Sequence, residues 1–98
     1  MTVGEMPRLP EGATCYRTTA EFHEGSIPAG LLRDHRTKAG TWGRIVVLQG
    51  RLIYTIAGSP ERSWVLTQER PGVIEPEVLH KVSPDGSVRF VVEFLREN

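Results

Sequence analysis

The 98-residue sequence predicts an all-β domain, and three observations carry that expectation. Seven prolines and ten glycines are spread along the chain, so no stretch of about a dozen residues combines freedom from breakers with 3.6-residue periodicity. Short runs rich in β-branched and aromatic residues recur between Gly- and Pro-containing turns. The last run alternates: Val88, Phe90, Val92 and Phe94 stand against Arg89, Val91, Glu93 and Leu95, the pattern of a strand with one face on a core. Short strands at regular spacing point to a sandwich or a closed barrel.

Residues 1–12 read as a flexible N-terminal arm and residues 13–98 as one domain. The first expected strand, Thr14–Thr19, is threonine-rich. Gly30–His35 follows the Pro28 turn. Thr41–Gln49 and Arg51–Ala57 are the two strongest apolar runs, and Gly50 between them suits a tight hairpin needing φ > 0. Ser59-Pro60-Glu61 is a turn leading to Trp64–Thr67, and the short Gly72–Ile74 run comes next. Leu79–Ser83 and the closing Val88–Leu95 flank the turn Pro84-Asp85-Gly86.

Twelve basic and twelve acidic side chains cancel, which argues against counterion-driven binding of nucleic acid, and no run of lysine or arginine suits a membrane surface. No apolar stretch is long enough to span a bilayer. The start, MTVGEMPRLPEG, has neither the apolar run nor the cleavage site of a signal peptide, so a cytoplasmic location is expected. Cys15 is the single cysteine; it excludes an internal disulfide and reads as a small buried hydrophobe. Trp42, Tyr54, Trp64, Phe90 and Phe94 read as core and rim. No Gly-x-Ser-x-Gly elbow supports nucleophilic hydrolysis.

His35 and His80 are the leading chemical pair, each beside a run with strand character. Two imidazoles and a carboxylate would make a three-ligand metal site with open positions, and Glu75 and Glu77 are the carboxylates nearest His80 in sequence. Without a third ligand the histidines would serve as hydrogen-bonding groups in the interior. Asp34, one residue before His35, falls on the other face of a strand. His23 reads as a solvated loop residue. Arg44 either lines the interior as an anion anchor or points outward to a surface acid; Gly43 beside it can mark a bulge that shifts the phase. Lys38 reads as exposed.

Four segments, PAGLLRDH, TKAGTWGRIVVLQGRL, IEPEVLHKV and VRFVVEFL, resemble the small cupin-like family of YeaR-type proteins and the N-terminal domain of TehB-type tellurite-resistance proteins. The resemblance covers about two thirds of the chain. It implies a cupin-like small β-barrel, a double-stranded β-helix or jelly roll, and a stress or oxyanion-resistance context. It also implies a divalent metal (Zn, Fe, Mn or Ni) in the interior. The departures are specific. Gly43 stands where a cupin's first-motif Glu would fall, His35 lies one residue beyond the usual first-histidine register, and Arg36, Thr37 and Lys38 replace a second histidine. Only His80 matches a ligand position directly. The methyltransferase that accompanies this fold in TehB-type proteins has no counterpart, since no Gly-rich cofactor loop follows a strand.

The sequence therefore leads to a metal or small-molecule site with His35 and His80 as metal ligands and Arg44, Glu75 and Glu77 as ligand-binding groups. The alternative is a ligand-binding or dimerisation module without metal. A homodimer covering exposed strand edges is expected, as is a small-molecule or oxyanion ligand.

Overall fold

Two strands much longer than the sequence suggests organise the chain. The computed structural model describes residues 5–97. In chain order it contains β1 (Thr14–Thr18), β2 (Phe22–His23), one 3₁₀ turn (Ala29–Leu32), β3 (Trp42–Ile56), β4 (Arg62–Leu66), β5 (Gly72–Ile74) and β6 (His80–Arg96). All named strand pairs are antiparallel. The six-stranded sheet has the path β1-β6-β3-β4, with β2 on β6 and β5 on β3. The all-β class is as expected. The sheet is open, with β1 and β4 at its ends, and its pairing does not close into a barrel.

The runs on either side of Gly50 form one strand, and so do the runs on either side of Pro84-Asp85-Gly86. Gly50 is not a hairpin turn. It sits opposite Val88, Leu52 sits opposite Pro84, and the register shifts between them. A bulge thus replaces the expected reversal, and bulged strands bend. The bulges also change the phase of β3. Gly43, Ile45 and Val47 are buried before the bend, and Leu52, Tyr54 and Ile56 after it. Because side chains alternate with period two, only an odd shift can keep both stretches facing the core.

The bend brings one half of the sheet against the other. Tyr54, beyond the bend, donates from its hydroxyl to the Val73 carbonyl of β5 at 2.8 Å. Its ring stacks with Trp64 of β4 at 5.7 Å between centroids. Ile45, Leu52, Leu66, Val88 and Phe90 fill the space between. Gly72 is needed there, since a Cβ would meet Leu66 Cδ1 at 2.8 Å and Tyr54 Cδ2 at 3.1 Å.

Two further expectations are corrected. Gly30–His35 is not a strand: its first residues belong to the 3₁₀ turn, and only His35 makes a bridge. Pro28 before that turn and glycine within it explain the difference, because neither supports an extended ladder. Cys15 is exposed rather than buried, since every residue of the edge strand β1 is exposed. Residues 1–4 of the expected arm lie outside the described residues, but Met6 packs against the core, and its Sδ accepts from the Val73 amide at 3.5 Å.

The bend gives a stability prediction. Gly50 has φ of 81°, and a Cβ there would lie 2.0 Å from the Ser87 carbonyl oxygen. Gly40 has a comparable φ of 78° but open space around it. Gly50→Ala therefore loses more than about 2 kcal/mol in urea unfolding, whereas Gly40→Ala loses about 1 kcal/mol, the conformational penalty alone. Equal losses would place the cost in the dihedral angle and not in the packing at the bend.

Candidate functional site

The site grows from one pair of backbone hydrogen bonds. The His35 amide donates to the His80 carbonyl at 2.7 Å, and the His80 amide donates back to the His35 carbonyl at 2.8 Å. Residues joined in this way across an antiparallel bridge present their side chains on the same face. The two imidazoles accordingly meet, with centroids 5.6 Å apart and planes at 79°. Sequence reasoning brought these two residues together, and the bridge is the physical cause.

Their environments differ. His35 is exposed, while His80 is 2% exposed. His80 Nδ1 lies 3.1 Å from the Val78 carbonyl, which can only accept, so Nδ1 carries the hydrogen and Nε2 is left as the acceptor. Tyr54 supports the ring from the core side, edge-on at 5.9 Å. Burial lowers the His80 pKa, outweighing the Val78 hydrogen bond, and the electrostatic interaction with the neighbouring His35 acts in the same direction as burial. The ring is thus held neutral. Burial likewise raises the Tyr54 pKa, so its hydroxyl stays a donor.

The turn before His80 is strained. Pro76 and Glu77 occupy its centre, the Val78 amide reaches the Glu75 carbonyl at 3.4 Å, and Glu77 has φ of 65°. A glycine or asparagine is the usual occupant of that position in a type II turn. Here the Glu77 amide donates to the Thr37 carbonyl at 3.0 Å, and Thr37 is fixed in turn by its hydroxyl donating to the Thr41 carbonyl at 2.7 Å. The turn before His80 is thereby pinned to the segment after His35.

Both histidines line a cavity of about 170 Å³. Its walls are mainly Phe22, Leu31, Ile45, Ile74, Val82 and Phe90, drawn from both halves of the bent sheet. A second, more open depression adjoins it and shares Arg17, His35, Thr37 and Phe94. Glu75 and Glu77 line neither space. Among the described residues no group of three or more His, Cys, Asp and Glu side chains is gathered as a metal ion requires. The donor set at the bridge is therefore two imidazoles, short of a three-ligand centre. His23 is exposed on β2, accepts from the Gly25 amide at 3.0 Å through Nδ1, and lines neither space.

Arg44 points away from the cavity. Gly43 is buried against Ile74 without any bulge, which fixes the phase of this stretch, and Arg44 falls on the other face. There its Nε donates to Glu93 Oε1 at 2.6 Å, across from it on β6. The arginine that does reach the cavity, Arg17, escaped the sequence reading. It lies on an edge strand whose bulge no local pattern announces. Thr37 was likewise missed; its signal would have been the buried threonine pair flanking the Lys38-Ala39-Gly40 turn.

Comparison with known proteins places this geometry in a family. A model of the TehB-like domain matches residues 17–92. Two Haemophilus influenzae proteins named probable S-adenosyl-L-methionine-dependent methyltransferase TehB are similar over 72 residues: one, from strain Rd, is 31% identical, and the other, from strain 10810, is 29% identical. Each match covers 69% of this chain and 25% of the relative, so the chain spans about a quarter of the length of these curated relatives. The crystal structure of TehB from H. influenzae superposes with a TM-score of 0.80 at 23% identity, covering 89% of this chain and 32% of that one. A crystal structure of a protein from Escherichia coli K12 also gives 0.80, at 22% identity, covering 95% of this chain and 99% of that one.

The buried neutral imidazole makes stability depend on pH. A folded-state pKa below the ordinary histidine value of about 6.5 means that the unfolded chain takes up the proton first. The His80 contribution is complete above that value and is lost as pH falls through the folded-state pKa. Glu24, whose carboxyl is held below its usual range by the Val88 amide, acts at lower pH. Urea midpoints measured at pH 7 and pH 5 should therefore fall on acidification in the wild type and fall less in His80→Gln. Identical slopes in the two proteins would remove His80 as the source.

Proposed function

The chain belongs to the TehB-like domain family, and from that premise we propose that it is a small-molecule-binding module, without methyl-transfer activity of its own, working in a stress or tellurite-resistance setting. The observation that carries this reading is the cavity of about 170 Å³ with the His35–His80 pair in its wall. A concave, mainly apolar space with a few convergent polar groups is the usual form of a ligand site. In this reading the bent sheet acts as a cupin-like cup. His80 Nε2 accepts from the ligand, and His35 closes the cup from its solvent side. Glu75 and Glu77 act on the site through the turn that carries His80. A homodimer would cover the open β1 edge.

Metal binding is the reading that this one displaces, because the gathered donors number two. A Zn, Fe, Mn or Ni ion held here would need further ligands from water or from the bound molecule. Methyl transfer belongs to the name of the H. influenzae relatives, of which this chain spans about a quarter.

Two measurements test the proposal. Amide chemical shifts followed during titration with a panel of small organic molecules should move for His35, Thr37, Ile74 and Val82 together. Ile74→Trp, which fills the cavity, should abolish those shifts while the protein stays folded. If no molecule moves these residues, the binding reading is lost. Elemental analysis after incubation with Zn²⁺, Fe²⁺, Mn²⁺ and Ni²⁺ separately should show no stoichiometric metal. One equivalent retained by the wild type and lost in His35→Ala would restore the metal site.

A further inference from the structure

The space around the histidine pair has two parts of different chemistry. The inner part is the apolar cavity. The outer part is a depression whose lining includes Tyr16, Arg17, His35, Thr37, Lys38 and Phe94. Two of its residues are permanent cations, and no aspartate or glutamate lines either part. Among the described residues, neither Arg17 nor Lys38 forms an ion pair, whereas Arg8, Arg44, Arg51 and Arg89 each do.

The orientation of Arg17 has a structural cause. Cys15 pairs with Leu95, and Arg17 pairs with Phe94, so Tyr16 is an extra residue in β1. A bulge of this kind re-aims the side chain that follows it. Paired residues share a face, and Phe94 packs against the core, so Arg17 is turned toward the cavity side. Its guanidinium lies 5.5 Å from the centre of the Phe94 ring, the residue that borders both spaces. Without the bulge an arginine two residues after Cys15 would share the face of Cys15 and leave Lys38 without a second permanent cation at the mouth.

Size constrains the ligand further. A dry cavity of about 150 Å³ admits benzene, and the inner space here is about 170 Å³. A benzene-sized body fits within it, with one polar substituent directed outward past the histidines. We propose, building on the small-molecule reading above, that the physiological ligand is a small organic monoanion. An aromatic or compact branched carboxylate would seat its apolar body in the cavity and its carboxylate between Arg17 and Lys38. Arg17 suits a carboxylate because its planar fork presents paired donors, and Lys38 adds a second positive charge to the lining of the same depression.

Three probes separate the parts of this proposal in isothermal titration at low salt: benzoate, its neutral isostere benzamide, and acetate. Benzoate should bind about tenfold more tightly than benzamide, an advantage that shrinks as salt is raised. Acetate, which cannot fill the inner space, should bind at least tenfold more weakly than benzoate. Arg17→Gln with Lys38→Gln, both at exposed positions, should bring benzoate within about twofold of benzamide, with the thermal midpoint of the protein unchanged. Equal affinity for benzoate and benzamide in the wild type would overturn the anion assignment while leaving the cavity as a binding site. Acetate binding as tightly as benzoate would overturn the apolar half. Failure of all three to bind would remove the small-molecule reading together with this inference.

Discussion

Strands β3 and β6 run antiparallel from the Trp42–Leu95 pair to the Ile56–His80 pair, and a slip of one residue between them would turn the cavity wall inside out. The long pairing also sets where β6 begins. His80 pairs with Ile56 on one side and with His35 on the other, so the first residue of β6 is held between two neighbours. The position of the second imidazole is therefore a consequence of the sheet register. The segment from the 3₁₀ turn to Thr41 has no ladder of its own; it is attached through the His35 bridge and through the Thr37 carbonyl. Breaking the ribbon register would release both histidines from their common face.

The polar groups in this cup are few and each is satisfied locally. Among the described residues no buried side-chain nitrogen or oxygen lacks a partner. Thr55 and Ser63 share a hydrogen bond across β3 and β4 at 2.9 Å, Tyr54 donates to Val73, and His80 is tied to Val78. These pairings let polar side chains sit in an apolar interior without the desolvation cost of an unmet donor. They also leave little freedom. A ring fixed at Nδ1 by a carbonyl and flanked by Tyr54 cannot turn to offer that nitrogen elsewhere. Such fixing is what orients the remaining nitrogen of a histidine toward a ligand.

Much of this was legible before the fold was known. The absence of helix, the core role of Tyr54, Trp64 and Phe90, and the meeting of His35 with His80 all follow from local patterns or from the family-like segments. What failed was the reading of punctuation. Gly50 and Pro84-Asp85-Gly86 carry turn chemistry, but they fall at one register shift, with Gly50 opposite Val88 and Leu52 opposite Pro84, so together they produce a bend and not two reversals. A glycine with positive φ serves a bulge as readily as a hairpin, and local sequence does not distinguish them. Arg44 was undecidable for a related reason: its direction depends on whether Gly43 carries a bulge, and the bulges instead fall after Val47 and after Gly50. Arg17 depends on a bulge at Tyr16 that only the partner strand reveals.

The residues that build the cavity run from Arg17 to Phe94, and the family match spans 17–92, so all but the last of them lie within the shared domain. Phe94, the exception, belongs to β6, which the match covers through Val92. A similar fold makes up nearly all of the E. coli K12 chain and about a third of the H. influenzae TehB chain. Under the binding reading proposed above, a ligand space built within one domain does not depend on what is joined to it. Sites formed between domains lack that property: they are lost when the domains part. The histidine bridge and the cavity beside it therefore arise within a single domain, and the fold by itself does not assign them a role.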